Sequence, residues 1–285
     1  MREEKVSDVQ SSIKNFVKPK CSLALGGMHM HNNPMELVRE VVRQGIKIKT
    51  LITSPSACIN ADLLIGANLV EEIVTSYVGF EHLGLAPNFR GAVERGEIKL
   101  KECDEPFIVY GLRAGASGIP FIPYPKGVIS DLPKINKDYK TVEDPYTKEE
   151  VFCAKPLKPD VALIVCQRAD SLSNASFAGA KFTDYLMIKA SSKVILQVEE
   201  ILSKDSLWDV PSFLVNAICL VPFGCHPTAS HGYYRYDEPH LRHYLKACRS
   251  RKGFEEYLES FVYPSYENYL ENIGKKRLEE LRIRV

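Results

Sequence analysis

The chain has 285 residues, 45% of them hydrophobic, enough apolar material for one large core or two small ones. Lys and Arg number 37 against 36 Asp and Glu, a formal charge of +1. That balance lacks the basic surplus that nucleic acid or an anionic membrane selects, so neither is expected as a partner. No window approaches the ~18 apolar residues of a membrane span, and the charged stretch Met1 to Lys20 is unlike a signal peptide.

In chain order, Val6, Ile13, Phe16 and Val17 form a first apolar stripe at helical spacing. Cys21 to Leu25 reads as a short strand stopped by Gly26-Gly27. After the polar loop Met28 to Asn33, Pro34 opens a helix whose apolar positions are Met35, Leu37, Val38, Val41 and Val42. The rest of the chain is organised around this unit, because in an open α/β sheet ligands bind where the chain leaves the carboxyl end of a strand. Further strands are predicted at 48–54, 70–76, 98–100, 161–166, 193–198 and 217–221, with helices at 59–67, 87–96 and 107–118. From 124 to 158 no period is visible, and the segment reads as a long irregular excursion inside one domain of residues 1–285. Beyond Pro239 the pattern is helical, with Gly253 and Gly274 as punctuation. The predicted fold class is α/β: an open, largely parallel sheet wrapped by helices, with a helical C-terminus.

Three strand-end loops carry the unusual residues. In the first, Gly26 and Gly27 precede Met28, His29, Met30, His31 and Asn32, and such a turn can offer N–H groups to a developing oxyanion. A plain turn uses the same glycines. The second loop is Ser76 to Glu81. The third, Lys101 to Glu105 (KECDE), holds carboxylates that suit a nucleophile or general base, or simply a solvated acidic turn. Arg113, in a helix of small residues, could pair with one of those carboxylates or with a substrate carboxylate, or face water. His226, His231, Tyr233, Tyr234 and Tyr236 crowd a segment that could meet substrate or another protein chain, or be a packed loop. The His29-x-His31 pair lacks the further ligands a metal needs, so no metal site is assigned. Eight cysteines without C-x-x-C spacing point to reduced thiols and a cytoplasmic location. No G-x-S-x-G, Walker loop or G-x-G-x-x-G is present.

The segments LALGGMHMHNNPMELVREVVRQG, DLLIGANLVEEIVTSYVGFE, GLRAGASGIPFIP, PDVALIVCQRAD, KVILQVEEI and VPFGCHPTASHGYYRYD, in this order, resemble the α subunits of family I CoA-transferases. The resemblance spans about residues 15–282 and is strongest to the glutaconate CoA-transferase branch. It implies an α chain paired with a homologous β subunit (αβ, α2β2 or larger) and an active site between them. The nucleophilic glutamate would stand on the β chain. A coenzyme A thioester is then a substrate, acyl-CoA the small-molecule partner, and no cofactor is tightly bound. Gly26 and Gly27, with Ser54, Ser76 and Gly79, would shape the acyl and oxyanion pocket.

Chains of the same branch also resemble ring-opening CoA hydrolases of steroid degradation, whose α chain itself carries a catalytic glutamate. Glu102 falls at that position, eleven residues before Arg113, with Glu105 the alternative one turn on. Tyr124-Pro125 departs from the Thr-Arg-like pair expected of those hydrolases. A non-catalytic acyl-CoA-binding subunit is the third reading.

Overall fold

The computed structural model describes residues 5–126, 131–202 and 208–283. Residues 127–130, inside the predicted excursion, therefore lie outside the described residues, as do the chain ends and 203–207 of the predicted single domain. Fully buried parallel strands read as continuous apolar runs, and each such run becomes a strand: β1 (Ser22–Leu25), β2 (Ile48–Thr53), β3 (Val70–Thr75), β4 (Lys99–Glu102), β5 (Ile122–Tyr124), β6 (Lys140–Glu143), β7 (Glu150–Ala154), β8 (Val161–Val165), β9 (Lys193–Val198) and β10 (Ala217–Leu220) include them all. Seven of these form one sheet in the order β10-β9-β8-β1-β2-β3-β4, every neighbour pair parallel. The chain builds outward from β1 on one side and from β8 on the other. The topological switch point therefore lies between β1 and β8, where open α/β sheets leave a crevice at the carboxyl ends of their strands.

Alternation along each strand divides the core. Leu23, Leu25 and Leu163 point to one face, and Ala24, Ala162 and Ile164 to the other. The first face is covered by α1 (Val9–Phe16), α2 (Met35–Arg43), α3 (Ile59–Gly66) and α4 (Pro87–Glu94), joined by α7 (Glu238–Ala247) and α8 (Arg251–Phe261). The second is covered by α5 (Glu105–Ser117) and α6 (Asp184–Ala190). The helices α9 (Tyr266–Ile273) and α10 (Lys275–Leu281) complete the helical C-terminus.

α5 begins where its sequence says it should: Asp104 accepts the Phe107 N–H at 2.9 Å as N-cap, and Pro106 stands in the first turn. Its small residues serve a closer approach than helix on sheet. A Cβ on Gly115 would lie 2.1 Å from the Leu157 carbonyl oxygen, so only glycine lets that backbone pass.

α2 carries charge into the interior. Arg39, 1% exposed, donates to Glu36 at 3.1 Å and to the His226 carbonyl at 2.5 Å, and its guanidinium lies 3.7 Å from the centre of the Tyr269 ring. Arg43 closes the network on Glu36 and Glu40. This network ties α2 to the C-terminal helices.

Two features differ from the sequence reading. The described part of the excursion is not irregular throughout: β5, β7 and β6 form an antiparallel sheet in that order, its short strands hidden from periodicity by mixed, exposed and half-buried residues. It also straps the β4–α5 turn. The Asn136 side chain donates to the Glu102 carbonyl at 2.9 Å, and the Tyr139 hydroxyl to Asp104 at 2.8 Å. The second feature is α6, for which the sequence reading has no counterpart, since seven residues make under two turns and too few positions for a period. All eight cysteines are free, six of them buried. Among the described residues no helix is long and apolar enough to cross a membrane.

Candidate active site at the sheet switch point

The first two strand-end loops meet at the carboxyl ends of β1 to β3. Gly27 turns the chain with φ +82°, and a Cβ there would stand 2.5 Å from the Asn32 carbonyl oxygen, so the turn requires glycine. The loop is closed by its own backbone. Gly26 N–H goes to Leu163 O at 3.0 Å, Met28 N–H to His31 O at 2.9 Å, and His29 N–H to Ser56 O at 2.9 Å. Gly27 N–H goes to the Asp184 carboxylate at 2.9 Å. The donors that a glycine turn could offer an oxyanion are thus engaged within the chain, and the loop shapes the crevice by its path.

Asn32, fully buried with φ +54°, is the hub beneath the loop. Its Oδ1 accepts from Gln167 Nε2 and from the His231 N–H, each at 3.1 Å, and its Nδ2 lies 3.3 Å from His231 Nδ1. The His31 and His231 rings are 5.2 Å apart. Burial, then the charges of His231 and His29, lowers the pKa of His31; burial alone lowers that of His231. Both imidazoles are therefore neutral near pH 7. They line a cleft of about 400 Å³ with Tyr236 and Arg277. His29 faces Glu81, both half-exposed and both in the left-handed region (φ +49° and +53°). Met28 is half-buried at the loop's mouth, whereas Met30 belongs to the core.

The neighbouring strand ends complete the frame. Ser54 Oγ, buried, lies 3.0 Å from Thr183 Oγ1, and Ser76 Oγ donates to the Pro55 carbonyl. Gly79 N–H donates to Ala57 O at 3.0 Å, and a Cβ on Gly79 would strike the Tyr77 ring. Gly26, Gly27, His29, His31, Asn32, Ser54, Ser76 and Gly79 thus gather at one end of the sheet.

The third loop stands apart. Glu102 ends the edge strand β4 with its side chain exposed, opposite Thr75 in register. Glu105 is exposed in the first turn of α5. Arg113, exposed on the outer face of α5, lies 5.4 Å over the Tyr110 ring and forms no ion pair among the described residues. Asp104 is spent on its cap and on Tyr139. Sequence reasoning missed Asp184, Thr183 and Gln167, which reach the loop from distant positions and belong to no motif. Among the described residues no group of three or more His, Cys, Asp or Glu could hold a metal ion.

Comparison with known proteins gives this arrangement its context. The family model described as coenzyme A transferase matches residues 6–219. One of the subunits of glutaconate CoA-transferase from Acidaminococcus fermentans is 28% identical, over 98% of this chain and 95% of its own length. The crystal structure of that organism's glutaconate coenzyme A-transferase superposes with a TM-score of 0.93 at 27% identity, covering 98% of this chain and 96% of the other. One of the subunits of 3-oxoadipate CoA-transferase from Pseudomonas knackmussii is 30% identical over 89% of this chain and 92% of that protein. The cholesterol ring-cleaving hydrolase IpdA subunit of Rhodococcus jostii is 28% identical over 89% and 90%. An uncharacterized Archaeoglobus fulgidus protein is 34% identical over 98% of this chain, which spans 64% of that longer relative.

Proposed function

Because this chain belongs to the coenzyme A transferase family, we propose that it is the α subunit of a heteromeric enzyme moving CoA between a small or dicarboxylic acyl-CoA and an acceptor acid, with the nucleophilic glutamate on a homologous β subunit. One observation carries the reading: the crevice is framed, yet its carboxylates are committed. Asp184 is sealed beneath the glycine turn, Glu81 faces His29, and Glu102 lies out on the edge strand. A pocket so built suits a chain whose nucleophile arrives from its partner. The fold shared with the Acidaminococcus glutaconate enzyme and the names of the two transferase relatives, each a subunit of a larger enzyme, support a heteromeric assembly, which we take to be αβ, α2β2 or larger.

In this reading the partner's carboxylate attacks the thioester carbonyl, expelling CoA thiolate and leaving a mixed anhydride. The thiolate then attacks the glutamyl carbonyl, which releases the first acid and leaves an enzyme thioester. The acceptor carboxylate repeats the two steps in reverse order, and CoA departs on the new acid with the glutamate restored. Two moderate barriers replace one high one. The Gly26-Gly27 turn, Ser54, Ser76 and Gly79 shape the acyl side of the pocket. In this reading Arg113, exposed on α5, pairs with a carboxylate of the partner or of a substrate. Free thiols support a cytoplasmic setting.

A second reading has its own support. Glu102 is an exposed carboxylate at the carboxyl end of a sheet strand, its backbone pinned by Asn136, and the IpdA protein is a relative along most of the chain. As the acid–base group of a ring-opening hydrolase, Glu102 would carry about 10²–10⁴-fold of the rate. Glu102→Gln separates the readings. We expect the assembled enzyme to keep CoA transfer within about tenfold of wild type, because a general acid–base contribution of 10²–10⁴ is absent. A loss of two or more orders of magnitude, with the complex intact by gel filtration, would move the chemistry onto this chain.

A further inference from the structure

We propose that Asp184, which opens α6, is the positioning residue of the Gly26-Gly27 turn and so of the acyl pocket. The inference rests on that turn's proposed role in shaping the pocket. Asp184 is fully buried, 157 residues from Gly27 in sequence, and accepts the Gly27 N–H on Oδ1 at 2.9 Å. Its approach explains the first glycine, as φ explains the second. A Cβ on Gly26 would stand 2.9 Å from the same Oδ1 and 2.8 Å from the Ile164 side chain. The preceding residue acts alongside: Thr183 meets Ser54 at the end of β2. One short helix thereby bolts two of the strand-end loops that frame the crevice.

Asp184 Oδ2 has no hydrogen-bond partner among the described residues. A carboxylate that a packed interior leaves half-satisfied is expensive unless its charge is used. Here the charge has one recipient, because an ionised acceptor makes a hydrogen bond roughly twice as strong as a neutral one. Burial raises the Asp184 pKa to about 7, the Gly27 N–H pulling the other way. No other charge bears on this carboxyl among the described residues; its own charge is felt by the thiols of Cys166, beyond β8, and Cys225, beyond β10. Burial holds both protonated well above that range. Lys181, three residues earlier, is paired with Asp209. The bond to Gly27 therefore strengthens as pH rises through about 7, and the turn tightens with it.

The sequence contains a single Gly-Gly step, which makes the test direct. Glycine labelled with ¹³C at the carbonyl, supplied together with ¹⁵N-glycine, yields one carbonyl-correlated amide signal in the full chain, that of Gly27. We expect this signal to titrate between pH 5.5 and 8.5 in the wild type and to be flat in Asp184→Asn, whose amide oxygen still accepts the bond without a charge. In the assembled enzyme, kcat/KM for acyl-CoA should rise through the same range in the wild type. In Asp184→Asn it should lose that limb and stay within about tenfold at neutral pH, the rescue expected when the hydrogen bond is kept. A Gly27 signal that is flat in the wild type, or titrates identically in Asp184→Asn, overturns the inference. The spectroscopic arm needs no turnover, so it reports on Asp184 even if the transferase reading fails.

Discussion

Gly27→Ala in the assembled enzyme is expected to cut CoA-transfer turnover by about two orders of magnitude, the loss that a misplacement near 1 Å brings to a positioned site. Two costs fall on one residue. The backbone stands at φ +82°, where a side chain costs about 1–2 kcal/mol. The new Cβ would also lie 2.5 Å from the Asn32 carbonyl oxygen, a backbone atom that cannot rotate away. The loop must open, carrying with it the Met28–His31 pair and the Asn32 hub to which Gln167 and His231 are tied. The strands lie beneath this loop, so the variant should fold and assemble. Steady-state kinetics on the complex, with thermal unfolding of the same sample, check both parts. Wild-type turnover would show that the turn is a bystander.

Arg39→Ala is expected to destabilise the chain by about 3–5 kcal/mol, the cost of removing one partner from a buried ionic network. Glu36 would keep Arg43 but lose the contact that shares its charge, the His226 carbonyl would lose its charged donor, and Tyr269 would face a void. The buried guanidinium is a costly way to join α2 to α9, and that makes its loss severe. Denaturant unfolding of the purified chain measures it. A change below about 1 kcal/mol, within the range of an exposed pair, would show that the network relaxes around the gap.

What the sequence made legible follows from burial. Strands covered on both faces along most of their length leave largely apolar runs, so β1, β2, β3, β8, β9 and β10 could be read to within a residue or two, and their alternation with helices pointed to a parallel sheet. The Gly26-Gly27 turn was legible for the same reason: it interrupts such a run. Its neighbours were not. Asp184 lies in a seven-residue helix and meets Gly27 only through the fold; Asn32 could be named in the turn's loop, but not its ties to Gln167 and His231, over a hundred residues away. The excursion hid its strands because they are short and their residues are mostly exposed or half-buried, which leaves no clean alternation. Glu102 and Arg113 could be placed on their elements, but both face outward, away from the loops that frame the crevice, so the fold of this chain gives their side chains no surroundings from which to read a role.

The most direct test of the central claim is to co-express the chain with a homologous β subunit, purify the complex, and incubate it with a panel of acyl-CoAs with and without acceptor acids. The transferase reading predicts CoA exchange that requires the acceptor and an enzyme thioester on the partner that borohydride traps. Consumption of a cyclic acyl-CoA without any acceptor, with uptake of water and no trapped thioester, would contradict it and place the chemistry at Glu102.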